Sequence, residues 1–142
     1  MKKSVGAIIY FKGKYLLQKR DNKKNIFFPD FWGVFGGSVD KNETIKKAVL
    51  RELKEEITLD MNIEKKILTS FFKSYHFTSQ RKRVYYECSF KTKKFKIKLN
   101  EGVSFKFFKI NEVKKLKIIP WDLQALLYFD LLYIKKKKLL PQ

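Results

Sequence analysis

Cysteine is almost missing from this chain: Cys88 is the only one among 142 residues. No internal disulfide can staple the fold, and a reducing compartment is the simpler expectation. Histidine is as scarce, with His76 alone, so the sequence offers no Cys/His set for zinc. Proline occurs three times and glycine six, which excludes a collagen-like or linker-dominated chain. No stretch reaches the roughly 20 apolar residues that cross a bilayer. The early apolar run Val5 to Phe11 leads into Lys12-Gly13-Lys14, not into a small-residue cleavage site, so no signal peptide is expected. One domain spanning 1–142, a cytoplasmic location and no membrane partner are the resulting expectations.

Acid is the largest deficit. Fourteen Asp and Glu face 33 Lys and Arg, for a net charge of +19. Such a surface attracts polyanions, nucleotides and nucleic acid among them, although a lysine-rich solvated exterior accounts for the same count. The placement of the few acids is more telling. Six of the fourteen (Asp40, Glu43, Glu52, Glu55, Glu56 and Asp60) fall between positions 40 and 60.

What is present reads as one mixed α/β domain, since apolar residues make up 44% of the chain and aromatics 16%. Residues 4–11 and 14–20 form two strands around a hairpin at Lys12-Gly13-Lys14. A helical pattern covers 43–57. Strands are expected at 63–77, 83–92 and 103–110, with a short one at 95–99 where Phe95, Ile97 and Leu99 alternate with lysines. A final helix runs from Trp121 to Ile134 behind Pro120, and Lys135 to Lys138 form a solvated tail.

The helix at 43–57 carries the chemistry. At about 100° per residue, with Ile45 as origin, Val49 lies about 40° to one side and Ala48 about 60° to the other. Glu52 and Glu56 fall about 20° either side of Ile45, inside the apolar stripe, while Glu55 sits at its edge. Carboxylates on a packing face repel one another and lose hydration, so a counter-charge is required. Arg51 can neutralise one, and a divalent cation can neutralise two more. Oxygen-only ligands suit Mg²⁺, or Mn²⁺ in its place. A surface helix with ordinary ion pairs is the competing reading. Just upstream, the pair Gly36-Gly37 lets backbone approach a ligand closely.

Gly37, Glu43, Arg51, Glu52, Leu53, Glu55, Glu56 and Leu59 resemble the box of the Nudix hydrolases, G-x5-E-x7-R-E-U-x-E-E-x-G-U with U apolar. Eight of its nine defined positions agree, a coincidence rarer than roughly one in a million on average residue frequencies. The resemblance implies an α/β/α sandwich with a mixed β-sheet, in which a loop–helix–loop holds metal. It also implies roles for single residues. Glu52, Glu55 and Glu56 become ligands beside the Gly36 carbonyl, Arg51 orients Glu52, and Glu43 braces the loop. Glu55 or Glu101 becomes the base, Glu101 being open to reading as an ordinary loop glutamate. Thr58 replaces the box glycine at the helix end, where a left-handed conformation costs a β-branched residue on the order of 1 kcal/mol.

The implied reaction is water attack on a phosphorus of a nucleoside diphosphate linked to another group. The short chain resembles MutT-like members, which act on nucleoside triphosphates and sense the base near the start of the last helix, here Trp121 and Asp122. Ser74 stands where ADP-ribose hydrolases often have a proline beyond the box, and Tyr75 resembles the tyrosine of diadenosine-polyphosphate hydrolases, although it is one tyrosine among seven. The competing class is a non-catalytic basic protein on the same scaffold that binds nucleotide or nucleic acid.

Overall fold

The computed structural model describes residues 2–26, 28–59, 67–76, 81–89, 97–99 and 104–135. Strand β1 (Lys2–Phe11) is its axis. It turns through Lys12 (φ 49°) and Gly13 (φ 78°) into β2 (Lys14–Lys19), pairing Phe11 with Lys14. Two central residues with positive φ match the right-handed twist of the flanking strands, and glycine at the second makes the turn cheap. Short strands β3 (Trp32–Gly33) and β4 (Phe35–Ser38) follow. Helix α1 (Ile45–Glu56) then runs directly into β5 (Ile57–Leu59). Next come β6 (Ile67–His76), β7 (Arg81–Ser89), β8 (Ile97–Leu99) and β9 (Ser104–Phe108). Helices α2 (Ile110–Val113) and α3 (Pro120–Phe129) close the described chain, α3 continuing into a π-helical segment, Asp130–Lys135.

The main sheet is mixed, in the order β3-β2-β1-β7-β6. Strand β1 is parallel to β7 from Lys2 to Tyr10 and antiparallel to β4 and β2 along its other edge. Strand β9 adds to β2, and β5 pairs with β8 in a separate ribbon. Alternate residues of β1 serve opposite faces, as the pleat requires. Val5, Ala7 and Ile9 pack with Phe35 on Ala48, Val49 and Leu53 of α1. Ile8, with Tyr15, Leu17 and Tyr85, packs on Ala125, Leu126 and Phe129 of α3. The result is an α/β/α sandwich with a core on each side of the sheet.

Several boundaries differ from the sequence reading. The first helix ends at Glu56, not 57, and Thr58 stands in β5 opposite Lys98. The extended backbone there removes the left-handed strain that a helix-terminal threonine would carry. The last α-helix ends at Phe129 and its final turns widen into the π-helical segment. Phe95 lies outside the described residues. Cys88 is buried, and desolvation, then the Glu87 charge, pushes its thiol up to about 12, which disfavours the nucleophilic thiolate at neutral pH. Among the described residues no helix is long and apolar enough to cross a membrane.

Candidate active site

The site forms where β4 lies between β1 and α1. Thr44 caps the helix, accepting the Lys47 amide at 3.2 Å on its hydroxyl. One turn in, the apolar stripe begins. Ala48, Val49 and Leu53 are fully buried, and Glu56 on the same face is 6% exposed. The Glu52 side chain is 15% exposed and that of Glu55 49%. Three carboxylates thus leave the helix progressively, one inward, one at the seam and one at the surface.

Arg51 organises two of them. Its Nε and Nη2 donate to the two oxygens of Glu43 at 2.8 and 3.0 Å, a forked pairing. Its Nη1 donates to Glu52 at 2.9 Å and to Glu55 at 3.3 Å. Nη2 also reaches the Ser38 carbonyl at 2.9 Å, tying the helix to the end of β4. The guanidinium is held firmly protonated, above its ordinary value, chiefly by the Glu43 hydrogen bonds. Glu43 in turn accepts the Asp40 amide at 3.0 Å, which closes the loop before the helix. The Arg51 hydrogen bond, then the Asp40 amide, lowers the Glu43 carboxyl from 4.5 to about 2.

A depressed carboxyl adds stability that is complete above its unfolded value and lost as pH falls through its folded value. Thermal midpoints of wild type and Glu43→Gln should therefore differ at pH 6 and converge as the pH is lowered from 4.5 toward 2. Curves that stay parallel through that window would show that Glu43 is not the titrating brace.

Glu56 turns the other way. Its carboxylate accepts the Gly36 amide at 2.8 Å on one oxygen and the Gln18 side-chain amide on the other. The glycine pair is required by space. A Cβ on Gly37 would overlap the Glu52 carboxyl, and one on Gly36 would overlap the Val5 carbonyl of β1. Among the described residues no three His, Cys, Asp or Glu side chains stand together closely enough to hold an ion by themselves. The donors nonetheless fit a hard cation in kind. They are oxygen only, with the Glu52 carboxyl standing against Gly37.

Of the residues singled out from the sequence, Arg51 contacts Glu52 and Glu55, Glu52 stands against Gly37, and Glu56 contacts Gly36, with Glu55 at the surface. Glu101 lies outside the described residues. Trp121 is partly exposed at the start of α3, edge-to-face with Phe28 at 5.1 Å between ring centroids. Asp122 is fully buried: its Oδ2 accepts the Val34 amide at 3.1 Å, and its Oδ1 accepts Tyr85 Oη at 2.6 Å and Arg83 Nε at 3.2 Å. Sequence reasoning missed three participants, Gln18, Phe28 and Arg83. Gln18 did carry a signal, being the polar residue that ends the apolar run Tyr15-Leu16-Leu17. A buried amide needs a partner.

A family profile for the NUDIX domain matches residues 1–129. A 64-residue segment is 41% identical to the dihydroneopterin triphosphate diphosphatase of Escherichia coli (strain K12), covering 43% of this chain and 39% of that protein. The match thus spans well under half the length of that relative. Among solved structures, the MutT protein from Methanosarcina mazei Go1 superposes with a TM-score of 0.73 at 18% identity, covering 96% of this chain and 95% of that one. A bifunctional NMN adenylyltransferase/ADP ribose pyrophosphatase from Francisella tularensis, complexed with AMP and a Mn ion, gives 0.76 at 17% identity. That likeness covers 90% of this chain and 40% of the other.

Proposed function

Because the chain belongs to the NUDIX domain family, we propose that it is a divalent-metal-dependent hydrolase of a nucleoside diphosphate linked to another group. A triphosphate carrying a flat heterocycle is the first substrate class. The observation that carries this reading is the seam itself, where Arg51 holds Glu52, which stands against Gly37, and also reaches the more exposed Glu55, while Glu56 braces Gly36.

Water attacks a phosphorus of the anhydride, the P–O bond to the leaving phosphate breaks, and the proton of the water passes to a carboxylate. The products of a nucleoside triphosphate are a monophosphate and pyrophosphate. Mg²⁺ or Mn²⁺, when bound, neutralises phosphate charge and acidifies the attacking water. Glu52, Glu55, Glu56 and the Gly36 carbonyl are its ligands in this reading. Arg51 keeps Glu52 in place, and the exposed Glu55 is the proton acceptor nearest solvent, with Glu101 the other candidate. Trp121, with Phe28 against it, offers an aromatic edge for the heterocycle. The net charge of +19 favours encounter with a polyanion. The relative named for dihydroneopterin triphosphate adds a pterin to the rings worth testing.

The same charge favours a second reading, a basic domain that binds nucleotide or nucleic acid without cleaving it. Glu43, Glu52 and Glu55 around one arginine, with the Asp40 carboxylate 3.4 Å from it, would gain such a protein nothing at a phosphate surface.

One experiment separates them. The protein is incubated with Mg²⁺ or Mn²⁺ and canonical and oxidised nucleoside triphosphates, dihydroneopterin triphosphate, nucleotide sugars and dinucleotides, and the phosphate products are identified. Pyrophosphate release from one class is expected, with Glu52→Gln slower by roughly 10³-fold, about 4 kcal/mol of transition-state stabilisation. Turnover undiminished in Glu52→Gln removes that glutamate from the mechanism. Silence of the wild type, with salt-dependent nucleic-acid binding instead, selects the second reading.

A further inference from the structure

Arg83 and Asp122 form a buried ion pair between β7 and α3, and nothing in the proposed chemistry uses it. The Arg83 side chain is 11% exposed and that of Asp122 1%. Tyr85 completes the group. Arg83 Nε donates to its hydroxyl at 3.0 Å, and the guanidinium lies over its ring, 5.1 Å from the centroid. Arg83 Nη1 also reaches Ser4 Oγ at 3.4 Å. Burial alone would lower the Arg83 value, but the Asp122 charge and the Tyr85 contacts more than reverse this. Two glycines give the group room. A Cβ on Gly6 would meet the Tyr85 ring at 2.9 Å and Arg83 Nη2 at 3.0 Å, and one on Gly33 would meet Asp122 Oδ2 at 2.9 Å.

Stability alone does not call for such a pair. The same face of the sheet is packed with Ile8, Leu17, Ala125, Leu126 and Phe129, and a buried ion pair is often no better than apolar residues of equal volume. What an apolar residue could not do is accept the Val34 amide. Val34 sits at the break between β3, which pairs with β2, and β4, which pairs with β1. Asp122, 88 positions away, supplies its acceptor. Two residues further on, the Gly36 amide goes to Glu56 of α1. The segment that carries Gly36 and Gly37 is therefore held by a carboxylate from each face of the sandwich.

We propose that Arg83, acting through Asp122, is a positioning residue that fixes the Val34–Gly37 backbone against the carboxylate seam. The proposal rests on the hydrolase reading above. Asp122 is then a lock and does not read the substrate ring. Its two oxygens already serve three donors, and it is closed to solvent.

The variants are Arg83→Met, Arg83→Lys and Asp122→Asn, each read for kcat and KM across the nucleotide panel, for Mn²⁺ affinity by electron paramagnetic resonance, and for thermal midpoint. Arg83→Met should lose about 10- to 100-fold in kcat and in Mn²⁺ affinity, the range for residues that orient ligands from behind. The loss in kcat should be the same for every substrate, with KM little changed, and Arg83→Lys should restore part of it by keeping the charge. Asp122→Asn, which keeps an oxygen for Val34 and loses the ion pair, should show a smaller loss of the same uniform kind; it carries the test if Arg83→Met does not fold. A KM change that depends on the heterocycle would show that Asp122 reads the ring, and the proposal fails. Folded variants with wild-type kcat and Mn²⁺ affinity would make Arg83 purely structural, and it fails again. Wild-type silence across the panel overturns only the hydrolase reading, because Mn²⁺ affinity reports the positioning without turnover.

Discussion

Gly36→Ala is expected to unfold this protein or leave it barely stable. The methyl would overlap the Val5 carbonyl and approach Gly6 Cα at 2.9 Å. Both are main-chain atoms of β1, which pairs with β2, β4 and β7 at once. No rotamer change can relieve the overlap. Either β4 leaves β1, giving up the Ser4–Ser38 to Ala7–Phe35 register and the burial of Phe35, or the central strand bends. Overpacking a closed core costs about 1–3 kcal/mol where side chains can adjust, and a clash between backbones should exceed that. The loss is expected at about 3 kcal/mol or more, a large share of the stability of a domain this size. Urea unfolding monitored by tryptophan fluorescence measures it. A midpoint within error of wild type would mean that β4 does not lie on β1 as described.

That strand was also the part of the fold least legible in the sequence. Phe35-Gly36-Gly37-Ser38 has no alternation and contains two glycines, which are poor strand formers. It is a strand because β1 supplies the partner and α1 covers Phe35, and both causes lie outside the segment. Strand β5 was hidden in the same way: Ile57 falls inside the helical pattern expected at 43–57, no strand was expected at 57–59, and only pairing with β8 sets these residues apart. The hairpin at Lys12-Gly13 and helix α1 were legible because their causes are local, a glycine turn between apolar runs and a period near 3.6.

The site divides along the same line. Angular positions alone put Glu52 and Glu56 toward the core and Glu55 at the rim, and the exposures of 15%, 6% and 49% follow that order. The Arg83–Asp122 pair was invisible. Arg83 is only the first residue of the strand expected at 83–92, and an aspartate in the first turn of a helix is ordinary in its own right. Their pairing depends on β7 and α3 meeting across one face of the sheet, with the two residues 39 positions apart in sequence. No local pattern encodes that.

Gly37→Ala should behave in the opposite way to its neighbour: folded, but nearly inactive. Here the added methyl would overlap the carboxyl end of Glu52, a flexible side chain and not a strand. Glu52 can swing aside at a cost on the order of 1 kcal/mol, the scale of an off-rotamer side chain. The fold should tolerate that, and the thermal midpoint should stay near that of wild type. The carboxyl would then leave its place beside Gly37 and strain or break the 2.9 Å contact with Arg51. A displacement of an ångström at a reacting centre can cost about 10²-fold in rate, and that is the loss expected in kcat. Comparison with Glu52→Gln identifies the cause. The glutamine variant keeps the group in position and removes its charge, so extra Mn²⁺ should not restore it. Gly37→Ala keeps the charge and moves it, so raising Mn²⁺ should recover part of the lost rate. Equal, unrecoverable losses in both would mean that the glycine serves something other than the Glu52 carboxyl. Full activity in Gly37→Ala would mean that the carboxyl works from another position than the one it holds against Gly37.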